Sequence, residues 1–365
     1  MMIPAGIELG LEVHVLSASA SDSAALVGAH VSIGAHDDPS AVAAFARGVD
    51  VITFDHEHVP TAILEDLVAS GVAVRPGPSA LIYAQDKLLM RERLGAAGFP
   101  CPRWWRIDSA ADLEAALDEA GGELIVKTPR GGYDGSGVRV VRHASDVSAW
   151  LERPGALLAE EKVPFVRELS AQVARRPGGQ AVAYPVVESE QRRGVCYRVS
   201  APAPGLGEDT AAQIQALALG IAHELNVVGM LAVELFALAD GSVAVNELAM
   251  RPHNTGHWSM DGAVTGQFHQ HLRAVADLPL GDTRPVAGTA VMVNLLGEDR
   301  DDLVAGAALA MQADPAIAVH LYGKQVRPGR KVGHVNLVGG APDEARARAL
   351  SAATTIVRTS EGELA

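Results

Sequence analysis

Leu231-Ala232-Val233-Glu234-Leu235-Phe236-Ala237-Leu238, then Ala239-Asp240-Gly241, then Ser242-Val243-Ala244-Val245-Asn246-Glu247-Leu248 reads as two apolar strands joined at a tight turn. Asp-Gly between such runs is a strong hairpin signal, because a type I′ turn needs positive φ at both central residues. A two-residue turn at Asp240-Gly241 pairs Phe236 with Val245 and Glu234 with Glu247. Side chains paired this way have Cβ atoms about 5 Å apart, and like charges there repel. Two carboxylates so placed on an apolar hairpin point to a divalent cation, since Mg²⁺ is held by one or two carboxylates plus substrate phosphates. The alternatives are a one-residue slip of register or a carboxylate pair splayed into solvent.

Upstream, residues 12–75 alternate short apolar strands (13–16, 49–54, 72–74) with Ala-rich helices, one opening at Asp38-Pro39 and one over 61–70. Strand-helix alternation implies a parallel, doubly wound sheet. The first element is instead a helix over 2–9, where a doubly wound domain normally begins with a strand and a Gly-rich turn. The expectation is a native start upstream of Met1 and a form of low stability or activity without that strand. Arg75-Pro76-Gly77-Pro78 marks a boundary, followed by a helix over 79–94 and the stiff connector Gly98-Phe99-Pro100-Cys101-Pro102. Strands near Leu157 and Val182 and a helix over 210–225 lead into the hairpin. Beyond Pro285 come strands near Val291 and His320 and a helix over 343–357.

The 365 residues suggest two or three domains, and 48% hydrophobic content is ample for their cores. A net charge of −14 argues against nucleic-acid or anionic-membrane partners, so any anionic substrate needs a local basic patch. Two distant cysteines without metal-ligand spacing read as reduced thiols in a cytosolic protein.

Four stretches carry chemistry. Leu124-Ile125-Val126-Lys127 followed by Gly131-Gly132-Tyr133-Asp134-Gly135-Ser136-Gly137 places a lysine at a strand end before a glycine-dense loop. Glycines let successive N–H groups approach phosphate oxygens. The loop runs into Val138-Arg139-Val140-Val141, a strand, so a phosphate lid fits better than a Rossmann turn or P-loop; a plain hairpin tip is the alternative. Glu160-Glu161-Lys162-Val163-Pro164 ends a strand where unpaired backbone groups could meet an adenine edge, or where a solvated acidic turn simply sits. In Arg251-Pro252-His253-Asn254-Thr255-Gly256-His257-Trp258 the two histidines are four apart, but Pro252 and Gly256 oppose a helix and hence zinc; Arg251 suits an oxyanion. Residues 322–334 interleave Lys324, Arg327, Arg330 and Lys331 with Gly and Pro, a shaped basic loop fit for a phosphate.

Together, from about residue 2 to residue 338, these motifs resemble the 5-(carboxyamino)imidazole ribonucleotide synthase family of the ATP-grasp superfamily. The resemblance implies a mixed α/β and α+β architecture: a truncated doubly wound N-terminal domain over 1–85, an ATP-grasp domain over 86–280 and a small β-rich C-terminal domain over 281–365. It implies ATP between two antiparallel sheets and Mg²⁺ on Glu234 and Glu247. ATP would meet Lys87, Lys127, Gly132, Tyr133, Asp134, Gly135, Ser136, Gly137, Glu160, Glu161, Lys162, Val163, Glu168, Gln191, Asn246 and Glu247. Tyr133, Lys324, Arg330 and Lys331 would approach aminoimidazole ribonucleotide, with Asp55 or Glu57 as candidate bases for its amine. Lys127 would neutralise phosphate charge, and Arg251, His253 and Asn254 would cradle bicarbonate and carboxyphosphate. A cytosolic homodimer is also implied. Three departures stand out. Ser136 takes the place of a usual basic residue, Met250 and Gln191 replace a proline and a histidine, and the Gly-Gly-Gly-Gln-Leu-type first turn is absent. They leave two rivals, another ATP-grasp ligase using glycine or formate, and a catalytically impaired nucleotide-binding homologue.

Overall fold

The computed structural model describes residues 1–28, 30–132 and 137–359. Its N-terminal region holds the helix Met2–Glu8 and two separate parallel strand pairs. His14–Ser17 pairs with His30–Ile33, and Val51–Ile52 pairs with Ala73–Val74. The parallel arrangement is the one expected. His30–Ile33 is an additional strand that hydropathy does not reveal, because most of its side chains are exposed. Asp38 accepts from Ser40 N at the start of Pro39–Ala46, as the Asp-Pro signal requires.

The helix expected over 79–94 is two helices, Pro78–Gln85 and Lys87–Ala96. Asp86 breaks them with extended backbone, and its carboxylate caps Leu88 N and Leu89 N. The second helix projects Lys87 and Arg91 from one face, four residues apart.

A four-stranded antiparallel sheet runs in the order Trp104–Ile107, Leu157–Glu161, Leu124–Lys127, Val138–Val141. Leu124, Val126, Leu157 and Ala159 fill a core with Leu113 and Leu117 of the helix Ala110–Ala120. The opposite face carries Lys127 and Glu160.

The large sheet has nine strands. Its path is Val243–Ala249, Gly229–Ala237, Arg167–Arg175, Val187–Arg192, Val195–Ala201, Ala290–Leu296, Lys331–Val338, Ala318–Leu321, with Ala181–Ala183 beside Arg167–Arg175. Leu231, Val233 and Leu235 point to one face, where Ile214, Ala218 and Ile221 of the helix Glu208–Glu224 pack on them. Glu234 and Glu247 point to the other. Residues 331–338, expected as the end of a basic loop, form a strand with residues 332–337 buried. Of the Gly and Pro that suggested a loop, Gly323, Pro328 and Gly329 lie in its approach and Gly333 lies within the strand. The large sheet therefore continues past residue 280 through the antiparallel pairing of Arg198–Ala201 with residues 290–293.

Candidate active site

Glu234 does lie opposite Glu247, but the hairpin reaches that register by a different route. Leu238 N donates to Ser242 O, so the loop has three residues, and only Gly241 takes positive φ (87°). That loop shifts the pairing by one, and Phe236 faces Ala244 rather than Val245. A bulge between Glu234 and Leu235 and their partners restores the register, leaving Asn246 as the extra residue. The bulge frees Asn246 for other work. Its backbone carbonyl accepts from Arg91 Nη2 at 2.7 Å, and its Oδ1 accepts from Lys127 Nζ at 3.3 Å.

On the small sheet, Lys127 Nζ and Arg91 Nε each lie 2.5 Å from a Glu160 oxygen, and all three side chains are buried. Burial alone would raise the Glu160 carboxyl, but Lys127 and Arg91 hold it below the usual range. The Glu160 carboxylate thus positions Lys127 and is not presented to a nucleotide. Glu161 accepts from Arg103 N, and Lys162 pairs with Glu123 at 2.6 Å. The backbone N–H groups of Lys162 and Val163 have no backbone acceptor among the described residues, which leaves that edge open to a base. Sequence reasoning missed Arg91, although its spacing from Lys87 on a helix face was a usable signal.

Lys87 Nζ bonds Glu247 Oε1 at 2.7 Å, joining the helix after Asp86 to the hairpin. Lys87 N donates to Pro129 O, fixing the strand end that leads into the glycine loop. Gly137 closes that loop at φ 77°, and a Cβ there would collide with Thr128 Oγ1. Tyr133, Asp134, Gly135 and Ser136 lie outside the described residues.

On the large-sheet face, carboxylates crowd together. Burial first, then Glu247 and Glu168, push the Glu234 carboxyl up to about 8, against relief from Lys331 and Lys87. Burial pushes Glu168 up to about 7. Gln191 lies further along the neighbouring strand, opposite Cys196. His253 Nε2 lies 3.5 Å from Glu234 Oε1, and burial, Arg251 and Lys331 hold this imidazole well below its ordinary value, hence neutral at pH 7. Its Nδ1 meets Thr255 Oγ1 at 2.9 Å, and Gln267 Oε1 accepts from His253 N at 2.8 Å. Asn254 Nδ2 is buried with no partner among the described residues, a donor suited to an anionic ligand.

Other expected residues are placed differently. The Glu57 carboxylate accepts from Met250 N at 3.0 Å and from Arg251 Nε at 2.7 Å, so it anchors the loop and is not free to act as a base. Asp55 is exposed. Lys324 lies over the Tyr322 ring at 5.4 Å, and Arg330 donates to Gln325 O; both are exposed, while Lys331 acts on Glu234 and His253. The basic residues of that segment therefore do not converge on one point. His257 and His253 do not converge either: His257 Nδ1 bonds Gln267, and its ring stacks on His334 at 4.6 Å.

Family models match nearly the whole chain. These are a ribonucleotide synthetase preATP-grasp domain over 1–85, an ATP-grasp domain over 92–268 and a phosphoribosylaminoimidazole carboxylase C-terminal domain over 290–348. The chain is 51% identical over 349 residues to the N5-carboxyaminoimidazole ribonucleotide synthase of Mycobacterium tuberculosis, covering 92% of this chain and 80% of that one. It is 47% identical over 367 residues to the enzyme of the same name from Corynebacterium ammoniagenes, with 98% and 89% covered. Its structure is similar to that of N5-carboxyaminoimidazole synthase from Aspergillus clavatus in complex with ADP and 5-aminoimidazole ribonucleotide. That likeness has a TM-score of 0.89 at 29% identity, with 98% and 96% covered. Among the described residues no helix is long and apolar enough to cross a membrane.

Proposed function

The chain belongs to the N5-carboxyaminoimidazole ribonucleotide synthase family of ATP-grasp ligases, and on that premise we propose how its residues divide the work. The reaction is the ATP-dependent carboxylation of 5-aminoimidazole ribonucleotide with bicarbonate, in purine biosynthesis. We read it as two steps. Bicarbonate oxygen attacks the γ-phosphorus, ADP leaves, and carboxyphosphate forms. The exocyclic amine then takes the carboxyl group, phosphate leaves, and a proton is lost from nitrogen.

The observation that carries this reading is the opposition of Glu234 and Glu247, where burial and the neighbouring carboxylates outweigh Lys331 and Lys87 and raise Glu234. Such a pair fits Mg²⁺, which when bound would neutralise phosphate charge there. Lys127, held by Glu160 and Asn246, is pre-positioned for a phosphate oxygen. Lys87 would exchange Glu247 for ATP, and Lys162–Val163 backbone groups would meet the adenine, with Glu168 on the ribose. Gln191, Gly132 and the loop 133–136 complete our nucleotide set. Arg251, His253 and the unpartnered Asn254 amide are assigned to bicarbonate and carboxyphosphate. His253 enters this set as a neutral hydrogen-bonding group, since burial, Arg251 and Lys331 disfavour its protonated form. Lys331, with Lys324 and Arg330 on the approach, is assigned to the ribonucleotide phosphate. The divisions 1–85, 86–280 and 281–365, a cytosolic setting and a homodimer belong to the same proposal; sedimentation tests the last.

Phosphate release by the purified chain decides the reading. Release should need ATP, Mg²⁺ and bicarbonate, and should rise with aminoimidazole ribonucleotide. Release driven by glycine or formate instead would move the protein to another ATP-grasp activity, and none with any acceptor would leave a nucleotide-binding homologue.

A further inference from the structure

A second polar cluster, sharing no residue with this site, sits on the N-terminal strand pair. The parallel register sets His14 directly beside His30. Their imidazoles stack with centroids 4.6 Å apart and planes 14° apart. Both Nε2 atoms converge on one oxygen, Glu12 Oε1, at 2.9 and 3.0 Å. The three donor atoms lie within 4.8 Å of one another.

Core packing does not explain this convergence, since the side chains of His14, His30 and Glu12 are 27%, 48% and 63% exposed. Two neutral imidazoles and a carboxylate are the donor set of open zinc sites, with metal–donor distances of about 2.0–2.2 Å. Donors around a tetrahedral ion at that distance stand roughly 3.3 Å apart, so the two histidine–carboxylate spacings need open by only a few tenths of an ångström. The set discriminates by chemistry. Mg²⁺ prefers an all-oxygen shell, whereas imidazole suits zinc and its transition-metal neighbours.

We propose that Glu12, His14 and His30 form a surface site for a zinc-class divalent ion, three protein donors and one position open to water. The ion would cross-link the two strands through donors from both, and so raise the melting temperature of the chain with the logarithm of free ion once that exceeds the dissociation constant.

The test is calorimetric titration of the full chain with Zn²⁺ in excess Mg²⁺, which keeps the paired glutamates out of the measurement. The unmodified chain should bind one equivalent that His30→Gln and His14→Gln each weaken at least tenfold, with ligase turnover unchanged. Retention of that equivalent in both variants would assign zinc to other residues and overturn the proposal. Anomalous scattering at the zinc edge from crystals of the unmodified chain gives a reading free of variant folding. A peak bounded by these three side chains supports the site, and a peak elsewhere or none refutes it.

Discussion

The four-stranded sheet and the hairpin end of the large sheet, the two walls of the candidate site, solve the same electrostatic problem in opposite ways. On the four-stranded sheet, buried Glu160 is clasped by Lys127 and Arg91, and the charges close among themselves. On the large sheet, Glu234, Glu247 and Glu168 face one another, and Glu234 and Glu168 are pushed up to about 8 and about 7. On the proposed function, the clasped wall would set geometry and the carboxylate-rich wall would receive the cation.

The sharpest way to break this contrast is to remove one charge from the carboxylate-rich wall. Glu247→Gln should lower phosphate release by roughly a hundredfold or more, in line with losing one charge-stabilising group, while leaving the fold intact. Near-normal turnover at limiting Mg²⁺ in both Glu247→Gln and Glu234→Gln would detach the pair from the metal. On the clasped wall the same kind of change should act on stability. Glu160→Gln leaves Arg91 and Lys127 buried against a neutral group, and breaking such a network costs about 3–5 kcal/mol. A urea midpoint unchanged in that variant would show that the clasp is not structural.

These two variants separate what could be read from the sequence from what could not. The carboxylate opposition was legible because strand alternation and the Asp-Gly turn constrain it. It emerged correctly although the loop has one residue more than expected, because the bulge at Asn246 returns the register. That bulge is invisible in the chain, since it is fixed by Arg91 and Lys127 reaching it from distant elements. Arg91 itself went unread, as did Thr255 and Gln267, which only the folded loop brings to His253. The strand Lys331–Val338 was hidden by the glycines in and before it, and the Glu57 anchor by 193 residues of separation.

Lys331→Ala sharpens the contrast at its third corner, because Lys331 is a cation that does relieve the carboxylate-rich wall. The expected result is a rise of about tenfold in KM for aminoimidazole ribonucleotide with kcat and the KM for ATP kept, the signature of a ground-state contact. A fall in kcat alone would transfer Lys331 to the reacting group.

The smallest effect is in pH dependence, and here the walls should differ in sign. Glu160 is held below the carboxylate range, so its contribution is present at neutral pH and lost on acidification. Glu168 is raised from an ordinary 4.5 to about 7, so the folded state holds its proton longer than the unfolded chain. Stability attached to Glu168 is therefore full below about 4.5 and lost as pH rises toward 7. Denaturation without Mg²⁺ should show Glu168→Gln flattening the decline across that window. An identical slope in variant and parent would remove Glu168 from the contrast.

The continuity of the large sheet has a consequence for how the chain comes into being. Val195–Ala201 finds its outer neighbour only in Ala290–Leu296, which in turn leans on Lys331–Val338. At about 5–20 residues per second, synthesis must run on for several seconds after the first of these strands emerges before the second exists. During that interval the growing chain presents an apolar strand with an unsatisfied edge, the form most prone to joining another chain. The chain beyond residue 280 is in this sense the cap of the large sheet. Fragments that stop near residue 280 should be recovered mainly as aggregates.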